Sequence, residues 1–289
     1  MKRFLLHLLA FVLLLGAFYG FLWGRYAYKM RQLSFALPCE KTVLAIGDSQ
    51  VQAAVNDSLL TQVANVAQAH DNYYSMLLRM QLYVAANPQI DTILLGVSPH
   101  TVARFKDEFF TNFGYMEEVT KFYLPWLTPS QWWFLLRHDA TDVLAALVTP
   151  LSFYWNPMQD YIAQMGRFDA ADYSHLAEDL AEGASRLVEH PEDAQRYGNR
   201  ETLRSLHRIV EWCREQDIVL IGLDTPVFHA EDYFNMENYR TLMAGEFAGL
   251  ERWEYLDMEL PDDCRRDVNH LNRKGAKIFS ESLAEKLFD

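Results

Sequence analysis

The chain has 289 residues, half of them apolar and 14% aromatic, with a formal net charge of -13. That length supplies one sizeable α/β domain more simply than two small ones, with enough apolar surface for a large packed core. A phosphate-binding face needs clustered Lys and Arg; no such cluster occurs, which argues against nucleic acid as a partner.

Lys2-Arg3 precede an apolar run from Phe4 to Trp23, broken only by His7 and glycines and free of Asp, Glu, Lys and Arg. About 20 such residues cross a bilayer as a helix. Phe18, Tyr19, Phe21 and Trp23 crowd one end, as an interfacial aromatic belt does. A buried core helix is uncommonly apolar all round at a chain's start. A cleaved signal peptide is the nearer rival. Against it, the run is long, and Gly20-Phe21-Leu22-Trp23-Gly24 offers no small-x-small cleavage site. Residues 1–24 are therefore expected to form an uncleaved signal anchor, a single-pass transmembrane helix. Arg25, Lys29 and Arg31 flank its far side, so the positive charges give only a weak vote on orientation. Residues 25–40 read as a stem and 41–289 as the folded domain.

Cys39, Cys213 and Cys264 have no metal-type spacing, and an odd count leaves at least one free thiol or an intermolecular bond. A buried, inert thiol is the expectation for each. Pro38 beside Cys39 argues against lipid attachment there.

After the stem a βα pattern begins. Thr42 to Ile46 is a short apolar strand, and Gln50 to Val63 is expected to be a helix, with Val51, Ala54, Val55, Leu59 and Leu60 partly at helical spacing. Val63 to Ala67 reads as a second strand. Tyr73 to Ala86 reads as a helix stopped at Asn87-Pro88. Asp91 to Val97 is the best strand, β-branched, continuous and bounded by prolines. Such runs fit a parallel sheet covered on both faces.

From about 100 to 199 the character changes. Phe105, Phe109, Phe110, Phe113, Tyr115, Trp126, Trp132, Trp133, Phe134 and Trp155 mark an aromatic-rich helical insertion, read mostly as helices packed on the core, with a lid or a membrane-facing surface as the other readings. Residues 169–200, with Glu192-Asp193 and Gly198-Asn199, read as a solvated connection. The α/β pattern then resumes: a helix over Arg200–Gln216, a strand over Asp217–Asp224, a helix over Tyr233–Phe247, a short strand over Trp253–Leu256 and a closing helix over Gly275–Phe288. The fold class is α/β: a three-layer, doubly wound (flavodoxin-like) parallel sheet, preceded by one transmembrane helix. Ligands of such sheets bind beyond the carboxyl ends of the strands.

In that fold Gly47-Asp48-Ser49 ends the first strand, so Ser49 stands at the mouth of the sheet, where the following helix begins and its N–H groups face any oxyanion formed nearby. Gly-Asp-Ser alone is also an ordinary turn and cap. Near the C-terminus, however, the chain reads Asp267-Val268-Asn269-His270-Leu271-Asn272. Serine needs an adjacent base, and the base needs an acid to hold its tautomer. Asp267 and His270, three residues apart before a helix, supply both from one loop.

Together these two blocks resemble the SGNH/GDSL hydrolase superfamily over roughly Thr42 to the C-terminus, with the aromatic region as an insertion. The resemblance implies Ser49 as nucleophile, His270 as general base and Asp267 as its orienting acid. It also implies a glycine and an asparagine as further oxyanion donors after the second and third strands. Here those loops read Asn65-Val66-Ala67-Gln68-Ala69, with no glycine, and Gly96-Val97-Ser98-Pro99-His100, with Ser98 where asparagine is expected. Gln50, Ser98 and His100 are the candidate substitutes; one lost donor costs roughly 10²–10³ in rate. With its anchor, the chain looks most like the branch that helps transfer D-alanyl or acetyl groups onto cell-envelope polymers beside a multi-pass membrane acyltransferase. That likeness implies a serine esterase or O-acyltransferase acting on an acylated glycan or envelope polymer, at an extracytoplasmic site and with no metal or organic cofactor. The alternative is a non-catalytic scaffold subunit that keeps the fold and grips a partner or glycan. Nucleotide binding by the sheet lacks any G-x-G-x-x-G or phosphate loop.

Overall fold

A computed structural model of the protein describes residues 1–103, 106, 123–138, 140–147, 166–181, 201–230 and 234–288. Of the aromatic insertion, Phe105, Phe109, Phe110, Phe113, Tyr115 and Trp155 lie outside the described residues, as do residues 182–200 with Glu192-Asp193 and Gly198-Asn199. The chain divides into two compact units: Met1–Ser34 with Met116–Gln164, and Phe35–Tyr115 with Met165–Asp289.

The second unit carries the sheet. Its strands are β1 (Val43–Ile46), β2 (Val63–Asn65), β3 (Thr92–Gly96), β4 (Val219–Leu223) and β5 (Glu251–Trp253). All four pairings are parallel, in the spatial order β2-β1-β3-β4-β5. β1 and β3 are almost wholly buried, and Leu44, Ile46, Ile93, Leu94 and Leu95 are fully sequestered from water. Each such side chain contributes about 1.5–3 kcal/mol of burial.

The chain steps from β1 to β2, then reverses across β1 to β3, β4 and β5. Right-handed crossovers therefore put α2 (Ser49–Ala54) on one face and α3 (Tyr73–Ala86) and α7 (Glu201–Glu215) on the other. The packing agrees: α3 meets α7, and α2 meets the closing helix α9 (Arg273–Phe288). Val43 and Ala45 of β1 join Val51, Ala54, Phe279 and Leu283 in one apolar cluster. The point of reversal lies between β1 and β3, and ligands of open parallel sheets bind at that switch point.

Local chemistry sets the helix boundaries. The Asn72 side chain caps α3 by accepting from Ser75 N at 3.1 Å. At its far end Asn87 leaves the helix and donates through Nδ2 to Phe35 O at 2.8 Å and Tyr83 O at 2.7 Å, ahead of Pro88. Helix α2 is six residues long, shorter than the expected run to Val63. Asn56 bends the chain instead, its Oδ1 accepting from Ser58 N at 3.2 Å and Ser58 Oγ at 2.6 Å. Asn65 Nδ2 then takes the carbonyls of Val51 (3.2 Å) and Val55 (2.6 Å) that a longer helix would use. Polar side chains that satisfy the backbone locally compete with the helix in this way. Among the described residues this unit also holds α6 (Leu176–Ala181), α8 (Met236–Gly245) and a 3-10 turn over Asp262–Cys264.

The first unit holds α1 (Lys2–Met30), α4 (Pro129–His138) and α5 (Ala140–Ala146). Helix α1 continues past Trp23 through the first residues of the expected stem. It is long and apolar enough to cross a membrane, and its apolar window is 6% buried. Cys213 and Cys264 are buried, but Cys39 is exposed, against the expectation of burial for each, because it lies in an irregular segment before β1; none of the three forms a disulfide.

Candidate active site

Ser49 is the first residue of α2, directly after β1, and is partly exposed. Two glycines make that turn possible. A Cβ on Gly47 would stand 2.5 Å from Val51 Cγ2, and one on Gly96 would stand 2.6 Å from the same atom. Without side chains, β1 and β3 approach closely and Val51 packs over both. Asp48 caps the helix, its Oδ1 accepting from Gln50 N at 3.0 Å. As the first helical residue, Ser49 carries a backbone N–H that a helix cannot satisfy internally.

The partner loop is a tight hairpin. Arg265 and Leu271 form an antiparallel bridge, and Arg266 N donates to His270 O at 2.9 Å. Phe228 N donates to Val268 O at 3.0 Å, which pins the loop tip to the segment after β4. Within the hairpin, Asp267 Oδ1 accepts from the backbone N–H groups of Asn269 and His270, both at 2.9 Å. Asp267 Oδ2 accepts from Arg266 Nε at 2.8 Å. The His270 ring then bridges the two blocks. Its Nδ1 lies 2.8 and 3.0 Å from the two carboxylate oxygens of Asp267, and its Nε2 lies 2.8 Å from Ser49 Oγ. Burial would raise the Asp267 pKa, but the bonds and charge of His270, with Arg266 and Asn269 N–H, outweigh it and hold the carboxyl well below the usual carboxylate range. Asp267 is therefore an anion facing Nδ1. That fixes Nδ1 as the protonated nitrogen and leaves Nε2 to accept from Ser49.

The other sequence candidates surround this row. The Ser98 hydroxyl donates to Gln50 Oε1 at 2.9 Å. Gln50 is buried, and among the described residues its Nε2 has no hydrogen-bond partner. Ser98 is itself held by Thr101, whose Oγ1 accepts from Ser98 N at 2.8 Å and from Tyr73 OH at 2.8 Å. His100 sits beside Asp48, with Nε2 3.6 Å from Oδ2. Burial and the charge of Lys106 push its pKa down to about 3 despite Asp48, so its ring is neutral.

One residue escaped sequence reasoning. Lys106 Nζ, buried, lies 3.1 Å from Asp48 Oδ2. Burial raises the Asp48 pKa, but Lys106 and His100 overcome it, and the net shift is downward. A lone lysine early in an aromatic run was the only available signal. The loop after β2 holds no glycine; there Asn65 Oδ1 accepts from Ala67 N at 2.9 Å. Among the described residues no group of three His, Cys, Asp or Glu side chains is placed to hold a metal ion.

No family model and no curated protein matches the chain. Among solved structures, a GDSL-like lipase from Bacteroides thetaiotaomicron is similar at 12% identity, over 92% of this chain and 98% of that one, with a TM-score of 0.41. A likeness that slight carries no argument, whereas Ser49, His270 and Asp267 form a continuous hydrogen-bonded row at the switch point of a doubly wound parallel sheet.

Proposed function

We propose that this protein is a membrane-anchored, SGNH-like serine esterase or O-acyltransferase that works through an acyl-serine intermediate on acyl groups of cell-envelope glycans or polymers. The observation that carries the reading is the 2.8 Å contact between Ser49 Oγ and His270 Nε2, with Asp267 2.8 Å behind the ring. Hydroxyl, base and orienting acid within hydrogen-bond reach are what an activated serine requires.

Ser49 Oγ attacks the acyl carbonyl carbon while His270 Nε2 takes the hydroxyl proton. The carbonyl oxygen becomes an oxyanion, and the imidazolium is stabilised by Asp267. Collapse of the intermediate breaks the bond to the leaving alcohol, which receives the proton from Nε2, and the acyl group stays on Ser49. Water or a sugar hydroxyl then attacks the acyl-serine, gives its proton to Nε2 and leaves as acid or ester, and the proton returns to Ser49. The oxyanion donors are the Ser49 N–H and the Gln50 amide, whose Nε2 lacks a partner among the described residues and whose Oε1 is held by Ser98. An uncompensated buried amide costs about 1–3 kcal/mol, which a bound oxyanion recovers. The apolar α1 supports the anchor. The extracytoplasmic site and the multi-pass acyltransferase partner follow from the same family reading.

The test is covalent labelling by a fluorophosphonate. Wild type should label, and Ser49→Ala and His270→Ala should both lose it while remaining folded by circular dichroism. A folded wild type that does not label would turn the assignment to a scaffold subunit or to a site completed only by a partner.

A further inference from the structure

Helix α1 serves as a ruler for the rest of its unit, because a helix rises about 1.5 Å per residue. Three contacts mark heights along it. The Tyr19 hydroxyl donates to Leu147 O, just after α5. Trp23 Nε1 donates to Tyr19 OH at 2.8 Å, and the Trp23 ring lies 6.3 Å from that of Trp132 in α4, at 65°. Arg31 Nη2 donates to Pro125 O at 3.1 Å. The described contacts of Pro125, Trp132 and Leu147 thus run alongside α1 from the level of Arg31 to that of Tyr19, about 18 Å of helix axis. A span of about 20 residues counted from Phe4 ends at Trp23. On that count Trp132 lies at the aromatic girdle and Leu147 about one turn deeper.

The side chains of α4 and α5 divide in the way such a position demands. Leu135, Val143 and Ala146 are buried. Trp133 is 62% exposed and Leu144 is 57% exposed. Arg137 places its guanidinium 5.7 Å from the centroid of the Trp133 ring. An exposed tryptophan backed by arginine suits the phosphate-rich boundary of a bilayer, where aromatic rings and guanidinium groups both find partners.

We infer that α4 and α5 form an interfacial element that seats in the headgroup layer beside α1, with Trp133 and Leu144 entering the acyl boundary of a phospholipid bilayer. The inference rests on reading α1 as a membrane span, beside which the contacts of Tyr19 and Trp23 hold α4 and the end of α5. It makes part of the aromatic insertion a lipid-facing element.

The experiment uses the full-length wild-type chain in liposomes of phosphatidylethanolamine and phosphatidylglycerol. Two photoactivatable phospholipids are compared, one with a diazirine near the glycerol backbone and one with it near the acyl-chain end, and adducts are mapped by mass spectrometry. The shallow probe should label α4 and α5 within several-fold of the Tyr19–Trp23 segment, and the deep probe should label the middle of α1 and leave α4 bare. Labelling of α1 with α4 and α5 bare to both probes would overturn the inference and leave a protein, such as a second copy, as the cover of that face. Deep-probe adducts on α4 would overturn the interfacial depth. An α1 bare to both probes would remove the span and the inference with it, while leaving fluorophosphonate labelling at Ser49 untouched.

Discussion

His270 joins a carboxylate three residues before it to a hydroxyl 221 residues before it, so the separation in sequence is bridged by one ring. Asp267 gives that ring its direction and has four N–H donors around its two oxygens: His270 Nδ1, the backbone of Asn269 and His270, and Arg266 Nε. An amide in its place presents an NH₂ group to Nδ1 or to Arg266 and favours the wrong tautomer. Under the proposed acyl transfer, Asp267→Asn should lower kcat for a chromogenic acetyl ester by about 10⁴-fold while the fold survives. Retention of more than a tenth of the activity would show that the carboxylate is not the orienting acid. The residue types at this site were legible because chemistry restricts them: a serine at a strand end and an Asp-x-x-His before a helix have few uses in common. Lys106 was not legible, because a lysine announces its ion pair only when the fold shows what it is buried against.

Among the elements, the short helix α2 does the positioning, and it is held at both ends by polar side chains. Asp48 caps its start and is in turn pinned by Lys106 at 3.1 Å. Removing the lysine leaves a buried carboxylate without its countercharge. Lys106→Met should cost about 3–5 kcal/mol in the denaturation of the sheet-bearing unit, and the double variant Asp48→Asn/Lys106→Met should recover much of it. A single variant as stable as wild type would mean that Asp48 is neutral or hydrated. This helix is also where periodicity misled: Val55, Leu59 and Leu60 sit at helical spacing, yet Asn56, Asp57 and Ser58 between them turn the chain. Long strands and helices with strong patterns, such as β3 and α3, came out within a residue or two, since their apolar periods agree with their caps. Elements of three to six residues are decided by single hydrogen bonds that no period reports.

At the scale of the whole molecule, the sheet order could be anticipated as doubly wound from alternation alone. The division into two units could not, because it depends on where the aromatic segment returns. Buried carboxylates away from the Ser49–His270–Asp267 row also set how the molecule responds to acid. Asp224, at the end of β4, accepts from Tyr239 OH at 2.7 Å, and burial raises its pKa from 3.8 to about 7. Asp71 beside Arg79 is likewise raised by burial, to about 6. Between 3.8 and about 7 the folded chain holds protons that the unfolded chain has released. The stability linked to these groups is thus fully present below pH 3.8 and drains away as pH rises through their folded values. Asp48 and Asp267 act in the opposite sense, but below this window, since their folded values are depressed. Asp224→Asn keeps the bond from Tyr239 and loses the titration. The melting temperature of wild type should fall relative to that of Asp224→Asn between pH 4 and 7, and parallel curves for the two proteins would refute a raised Asp224.

The meeting of Gly47, Gly96 and Val51 carries a consequence for how this chain can vary. One γ-methyl of Val51 occupies space left open by Gly47, four residues before it, and by Gly96 at the end of β3, so two segments distant in sequence share one small volume. None of them can grow alone without moving the first turn that holds Ser49. Substitutions at these positions will not combine additively; an alanine at Gly47 becomes tolerable only in a background where residue 51 has shrunk. Drift in this protein is therefore channelled: the turn that seats Ser49 changes as a trio or stays as it is.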